Sequence, residues 1–291
     1  MALNKFILTT FIATLLSCSK SYSETVKQNL YINKGLMKMV NNYAQLPYIA
    51  FNLTPNFVAK NAHIAVTIGD SLFLTIKNTD GKSHSFSIQN TEINGLIVLA
   101  QDSIKVKLKL KEMGTYIFYD PSEYPKNRYL GLAGLIAVQP KGNYKNYYWN
   151  FKEHSTSFNT QLDKNLAVNW DTYYPDFFTC NSLSYPESRK DTIANISGNV
   201  GDTIHIFMAN TGQAQHVIHF HGFHSKIIQT NKYKKYINYS KDSFPIESMQ
   251  TMVLELVLDK QGEYPVHDHN LLAMTGNKMH PYGMMLIINV K

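Results

Sequence analysis

Arginine is almost missing from this 291-residue chain: Arg128 and Arg189 are the only two among 28 basic residues. The formal charge of +7 therefore rests on lysines, which are scattered along the sequence. No basic run interleaves with an aromatic stacking platform, so nucleic-acid binding is not expected and a solvated lysine-rich surface is. Charged residues make up 17% of the chain against 44% hydrophobic, the balance of a folded globular protein. No long stretch carries a helical apolar period, which argues against a helical fold. The apolar run from Phe6 to Leu16 is too short to span a bilayer.

That run follows Lys5, a short positive start, and suits a signal peptide. It ends in Leu15-Leu16-Ser17-Cys18, which resembles the bacterial lipobox. The resemblance implies a leader over residues 1–17, a lipidated Cys18, and a polar tether beginning at Ser19. The expected protein is exported and held at the periplasm or outer membrane by the lipid alone, or secreted if the leader is an ordinary one. With Cys18 lipidated only Cys180 remains, so no internal disulfide can form and stability must come from the cores. Cys180 lies in the apolar run Phe177-Phe178-Thr179-Cys180 and reads as a buried, inert thiol.

The length is enough for two sizeable domains. Ile64–Ile68 and Leu72–Ile76 alternate around Gly69-Asp70-Ser71, and Val106, Leu108 and Leu110 alternate with Lys105, Lys107, Lys109 and Lys111. Both are strand patterns. The order then recurs. Val200-Gly201-Asp202-Thr203-Ile204 echoes Ile68-Gly69-Asp70-Ser71-Leu72, and Phe207–Thr211 echoes Leu74–Thr79. Gly262–Asp268 echoes Gly114–Asp120, and Gly283-Met284 echoes Gly131-Leu132. Four matches in one order indicate a duplicated β domain. The expected boundaries are 24–141 and 176–291. The segment 142–175, with its two tryptophans, is too aromatic for a flexible linker and is expected to pack across both domains.

Seven of the eleven histidines fall between positions 216 and 280. Successive side chains of a strand point to opposite faces. An extended 216–221 segment puts His219 and His221 on one face, and His216 with Ile218 and Phe220 on the interior face. In the second segment His267 and His269 share a face, and Asp268 shares the other with Val266. Four imidazoles thus converge outside the barrel, while His216 and Asp268 point inward, with His280 and Met284 available from the next loop. Imidazole suits several transition metals, so copper and zinc both fit on ligand type. Histidines 63, 84, 154 and 205 look isolated, and His205 reads as a surface residue.

The pattern His216-x-x-His219-x-His221-Gly222 resembles the C-terminal signature of multicopper oxidases and of the related two-domain copper nitrite reductases. His267-Asp268-His269 resembles the family's His-Cys-His, and His280 with Gly283-Met284 resembles its closing type 1 copper ligands. The resemblance covers about residues 45–291, strongly in the second domain and weakly in the first. It implies an all-β chain of two cupredoxin-like Greek-key sandwich or barrel domains. It also implies type 1 copper at His216, His280 and Met284, and type 2 and type 3 copper at His219, His221, His267 and His269. The thiolate of a blue site is absent, however: Asp268 holds its place, and Asp120 holds it in the first domain. No type 1 copper is expected in either. Asp268 could bind a metal with His216, or hydrogen-bond and orient an imidazole. A homotrimer, as in the two-domain relatives, would not complete a trinuclear cluster, because the first domain lacks His-x-His pairs. The expected protein is a copper-binding, multicopper oxidase-like chain, acting as an oxidoreductase on dioxygen or a small molecule. The alternatives are a non-catalytic copper-handling lipoprotein and a structural surface module.

Overall fold

Short alternating strands leave one apolar face each, and two such sheets closed on one another bury both faces. The computed structural model describes residues 23–40 and 42–291 and shows this arrangement twice. The signal-peptide reading of 1–17 and the lipidation of Cys18 lie outside the described residues.

The first domain contains β1 (Thr25–Met39), β2 (Ala44–Asn52), β3 (His63–Thr67), β4 (Ser71–Asn78), β5 (His84–Ile88), β6 (Leu96–Val98), β7 (Ser103–Lys109), β8 (Gly114–Tyr119) and β9 (Ala133–Gln139). They form the sheets β2-β1-β4-β7 and β3-β9-β8-β5-β6. A short helix α1 (Lys126–Leu130) links β8 to β9. The second domain begins with β10 (Lys145–His154) and continues, after α2 (Thr156–Asp163), with β11 (Phe177–Cys180), β12 (Ile196–Gly198), β13 (Thr203–Asn210) and β14 (His216–Phe220). It ends with β15 (Ser225–Thr230), β16 (Ser240–Lys241), β17 (Ser243–Ile246), β18 (Thr251–Val257), β19 (Gly262–Asp268) and β20 (Met285–Val290). Its sheets are β11-β10-β13-β18-β15-β16 and β12-β20-β19-β14-β17.

The topology is duplicated strand by strand. β1 runs parallel to β4 as β10 does to β13, and β3 runs parallel to β9 as β12 does to β20. The repeated Gly-Asp turns serve the same purpose in each half. Gly69 and Gly201 sit at φ of 95° and 94°, where a side chain would be strained. Asp70 and Asp202 accept the backbone N–H groups of Thr67 and Asn199.

The expected boundary at 176 is displaced. Lys145–His154 is a strand in the middle of the second domain's sheet, paired with both β11 and β13, and Trp149 is buried in that core. Its aromatic residues serve both roles: Trp149 and Phe151 fill the second core, while Tyr148 packs on the first domain and stacks with His63 at 4.8 Å. The bridge continues in α2 and the segment after it: Phe158, Leu162, Trp170 and Tyr173 pack with Tyr129 and Leu130 of α1. The domains also meet directly, Ile117, Ala133, Leu135 and Ala137 packing on Phe207, Ala209 and Val253. Cys180 is buried, and burial pushes its thiol well above the ordinary range.

Candidate metal centre

β14 and β19 pair antiparallel with His219 opposite His267, Ile218 opposite Asp268 and Phe220 opposite Val266. This register sets the two faces. His216, Ile218, Phe220, Val266 and Asp268 are buried, whereas His219 and His267 are half-exposed and His221 and His269 exposed. The alternation read from sequence therefore separates the outer imidazoles from the inner pair.

The four outer rings form one cluster. Centroids are 4.9 Å apart for His219 and His221, 4.8 Å for His219 and His269, 5.0 Å for His221 and His267, and 5.7 Å for His219 and His267. Two rings are fixed from behind. His267 Nδ1 donates to the Asp268 carbonyl oxygen at 2.9 Å, which leaves the Nε2 lone pair pointing into the cluster. His219 Nδ1 lies 2.9 Å from Ser243 Oγ of the neighbouring β17. Such outer contacts orient metal-binding histidines. His267 Nε2 is 2.9 Å from His221 Nε2. Partial desolvation, then the neighbouring imidazoles 267, 219 and 269, lowers the pKa of His221 and keeps its ring neutral.

These donors fit a copper ion chemically: four imidazoles on one face, two of them oriented by outer hydrogen bonds. Two nitrogens bound at right angles to one ion at about 2.0–2.1 Å stand about 2.9 Å apart, and tetrahedral binding needs about 3.3 Å. The His221–His267 separation is close to both, and it is here a hydrogen bond between the two rings that a bound ion would replace. Among the described residues no three His, Cys, Asp or Glu side chains already close around a common point. The fourfold site would need ring rotations, which the exposure of His221 and His269 permits.

The inner pair is a different object. His216 Nδ1 donates to Asp268 Oδ2 at 2.7 Å, and His216 Nε2 donates to Glu153 Oε2 at 3.1 Å. All three residues are fully buried. Burial alone would lower the His216 pKa, but the hydrogen bonds and charges of Asp268 and Glu153 lift it to about 9. Burial would likewise raise that of Glu153, yet His216 and the N–H groups of Ala214 and Gln213 hold it at about 2. Asp268 Oδ1 also accepts the N–H groups of Val217 and Asn270, which ties the ends of β14 and β19 together. Both ring nitrogens of His216 are thus taken by carboxylates. Met284 is buried in the second core and His280 is exposed, and neither hydrogen-bonds this pair.

Domain one repeats the motif, and here the sequence reading needs correction. His84 is not isolated: its Nδ1 donates to Asp120 at 2.8 Å and its Nε2 to Asp80 at 3.0 Å. Asp120 and Asp80 raise its pKa against the effect of burial. Asp80 and Glu153 were missed because the two carboxylates occupy unrelated chain positions. A spacing of Asp80-x-x-x-His84 was the available signal for one of them. His205 is also not a surface residue. It is buried against the ring of Tyr144, which screens its strand from water. His154 is fully buried, and burial pushes its pKa down to about 3.

Arg128 of α1 locks the domains at the second triad. Its buried guanidinium donates to the carbonyl oxygens of Thr211 and Gly212 at 2.7 and 2.6 Å, and also to Gln213 Oε1. That loop presents the N–H groups of Gln213 and Ala214 to Glu153 Oε1 at 2.6 and 2.9 Å.

Residues 148–291 match the sequence model of the multicopper oxidase family. No curated protein matches the chain. Among solved structures, the chain is similar to the blue copper oxidase from Nitrosomonas europaea, at 20% identity and a TM-score of 0.77, over 92% of this chain and 86% of that one. It is similar to the multicopper oxidase mgLAC at 17% identity and a TM-score of 0.75, over 92% and 86%. It is also similar to the copper nitrite reductase from Nitrosomonas europaea at 16% identity and a TM-score of 0.70, over 92% and 94%. The second half of the chain thus carries the multicopper oxidase sequence pattern, and the whole chain has the two-domain, all-β cupredoxin-like fold of these structures.

Proposed function

We propose that this protein binds copper through His219, His221, His267 and His269 in a non-blue site, and handles copper in the cell envelope without relaying electrons. One observation carries this reading: four imidazoles gather on an open face, while the two imidazoles at equivalent inward positions of β5 and β14, His84 and His216, are held between carboxylates. A blue centre is tuned around a thiolate sulfur, and this chain has aspartates at both equivalent positions. Copper is favoured over zinc by the named metal of the similar structures. The relatives lend zinc no support.

Purified protein loaded with copper and dialysed should retain it stoichiometrically. The double variant His219→Ala with His269→Ala should lose it and remain folded. A wild type that refuses copper would leave only a structural module of paired barrels.

A second reading, a copper-dependent oxidoreductase, draws on the exposure of His221 and His269, which lets a small molecule or dioxygen reach the ion directly. Substrate-dependent oxygen consumption or nitrite reduction by the copper-loaded protein would favour it.

A further inference from the structure

The duplication supplies an internal control for one surface. In the second domain the outer face of β13 and β18 is a docking face: Phe207, Ala209 and Val253 are buried against the first domain. Phe207 stands opposite Val253 there, as Thr75 stands opposite Lys105 across β4 and β7. By the same count Ala209 becomes Lys77. The face that receives a protein domain in one half is therefore cationic in the other.

The lysines that appeared scattered in sequence gather here. Lys27 on β1 lies beside Phe73 on β4, which lies beside Lys107 on β7. Lys77, Lys105 and Lys109 share the same outward face, and all five are exposed or half-exposed. Among the described residues none of the five pairs with a carboxylate. Lys77 and Lys107 lie over the rings of Tyr31 and Phe73, at 5.1 and 4.9 Å from the centroids. Acidic residues keep to the ends of the strands: Glu24, Asp70 and Glu112 at one, Asp102 at the other. Asp70 is already engaged by the N–H groups of Thr67 and Glu24.

The chain also enters the fold at this face. Thr25 pairs with Ser71, and Ser71 with Lys109. Residues 1–24, with the apolar run and Cys18, join at that end. The seven residues from Cys18 to Thr25 can reach about 25 Å at most.

We propose that the lysine face of β1, β4 and β7 docks on an anionic phospholipid surface, within reach of a lipid on Cys18. Juxtamembrane lysines are attracted by the negative surface potential, each contributing roughly a fivefold gain in binding, and the attraction fades within a Debye length. The proposal is independent of the copper reading and uses the export reading of the N-terminus.

The test uses the processed chain from Ser19 onward, which retains both complete domains, mixed with vesicles of phosphatidylglycerol or of phosphatidylcholine. Cosedimentation with phosphatidylglycerol alone, released by salt, is the expected result. Lys105→Gln, Lys107→Gln and Lys109→Gln together should weaken it on the order of a hundredfold. Lys234→Gln, Lys235→Gln and Lys241→Gln in the second domain should leave it unchanged. Equal losses for both triple variants, or no binding to phosphatidylglycerol, would overturn the proposal and leave the lysines as protection of the edge strand β7. A measurement on the wild type guards against misfolded variants. Phosphatidylglycerol vesicles should shield Lys105, Lys107 and Lys109 from amine acylation while Lys234 and Lys235 stay reactive, and uniform reactivity would contradict it.

Discussion

The two domains deliver a carboxylate to the same imidazole nitrogen from different places in the chain. In domain one it is Asp80, four residues before His84. In domain two the equivalent position is Gly212, and the carboxylate comes instead from Glu153 on β10, whose counterpart on β1 is Lys34. The exchange is sterically coupled. A Cβ at Gly212 would lie 2.0 Å from Glu153 Oε2, so the loop can approach the glutamate only without a side chain. The other carboxylate, Asp120 or Asp268, holds the same place in both halves. Two solutions for one charge arrangement teach that the arrangement matters more than its source. A lone buried imidazolium is costly, and one flanked by carboxylates can tie β-strands together.

The outer faces differ in the opposite sense. Ser87, Gln89, Tyr119 and Pro121 of domain one stand where domain two has its four outer histidines, and Ser87 pairs with Tyr119 as His219 pairs with His267. Gln89 donates to the Met249 carbonyl oxygen and Tyr119 packs at the domain contact. Domain one has closed this face against its neighbour, and domain two has kept it open.

Several substitutions would break or sharpen this contrast. Glu153→Ala leaves His216 without one partner and the Gln213 and Ala214 amides without an acceptor, so it should cost about 3–5 kcal/mol in chemical denaturation. Adding Gly212→Asp to that variant transplants the domain-one solution and should recover part of the loss, whereas Gly212→Asp alone should destabilise. No recovery would mean that the halves are not interchangeable. His84→Ala should cost less, about 1–3 kcal/mol, because Asp80 is partly solvated and can rehydrate.

The pH profile of the metal-free protein gives a further check. The raised His216 pKa contributes stability that is complete below its ordinary 6.5 and lost as pH rises through about 9. The depressed Glu153 pKa contributes stability that is complete above its ordinary 4.5 and lost as pH falls through about 2. Buried His154, held neutral with a pKa of about 3, adds stability that is lost as pH falls below its ordinary 6.5, so thermal scans should show greatest stability near pH 6.5, and Glu153→Ala should flatten the alkaline limb and part of the acid one. The smallest effect is expected from Ser243→Ala, which removes the hydroxyl behind His219 and should weaken copper binding about tenfold without changing stability.

Much of this was legible in the sequence. Period-two alternation placed His219, His221, His267 and His269 on one face and His216 with Asp268 on the other, because the pleat leaves no alternative. The repeated Gly-Asp turns and aspartates exposed the duplication. Longer-range features were not legible. Glu153 reaches His216 across 63 positions, and only the pairing of β10 with β13 brings them together. For the same reason the core strand at 145–154 was hidden within the aromatic segment, since Trp149 and Phe151 of the second core and Tyr148 of the domain contact look alike in sequence. The lysine face emerges only when β1, β4 and β7 are laid side by side.

The most direct test of the central claim is electron paramagnetic resonance with optical absorption on the copper-loaded protein. The account predicts an axial copper(II) signal with nitrogen splitting from imidazoles, abolished by His219→Ala with His269→Ala, and no intense blue absorption. A blue protein would contradict it, because copper would then sit at a thiolate, which neither Asp120 nor Asp268 can supply.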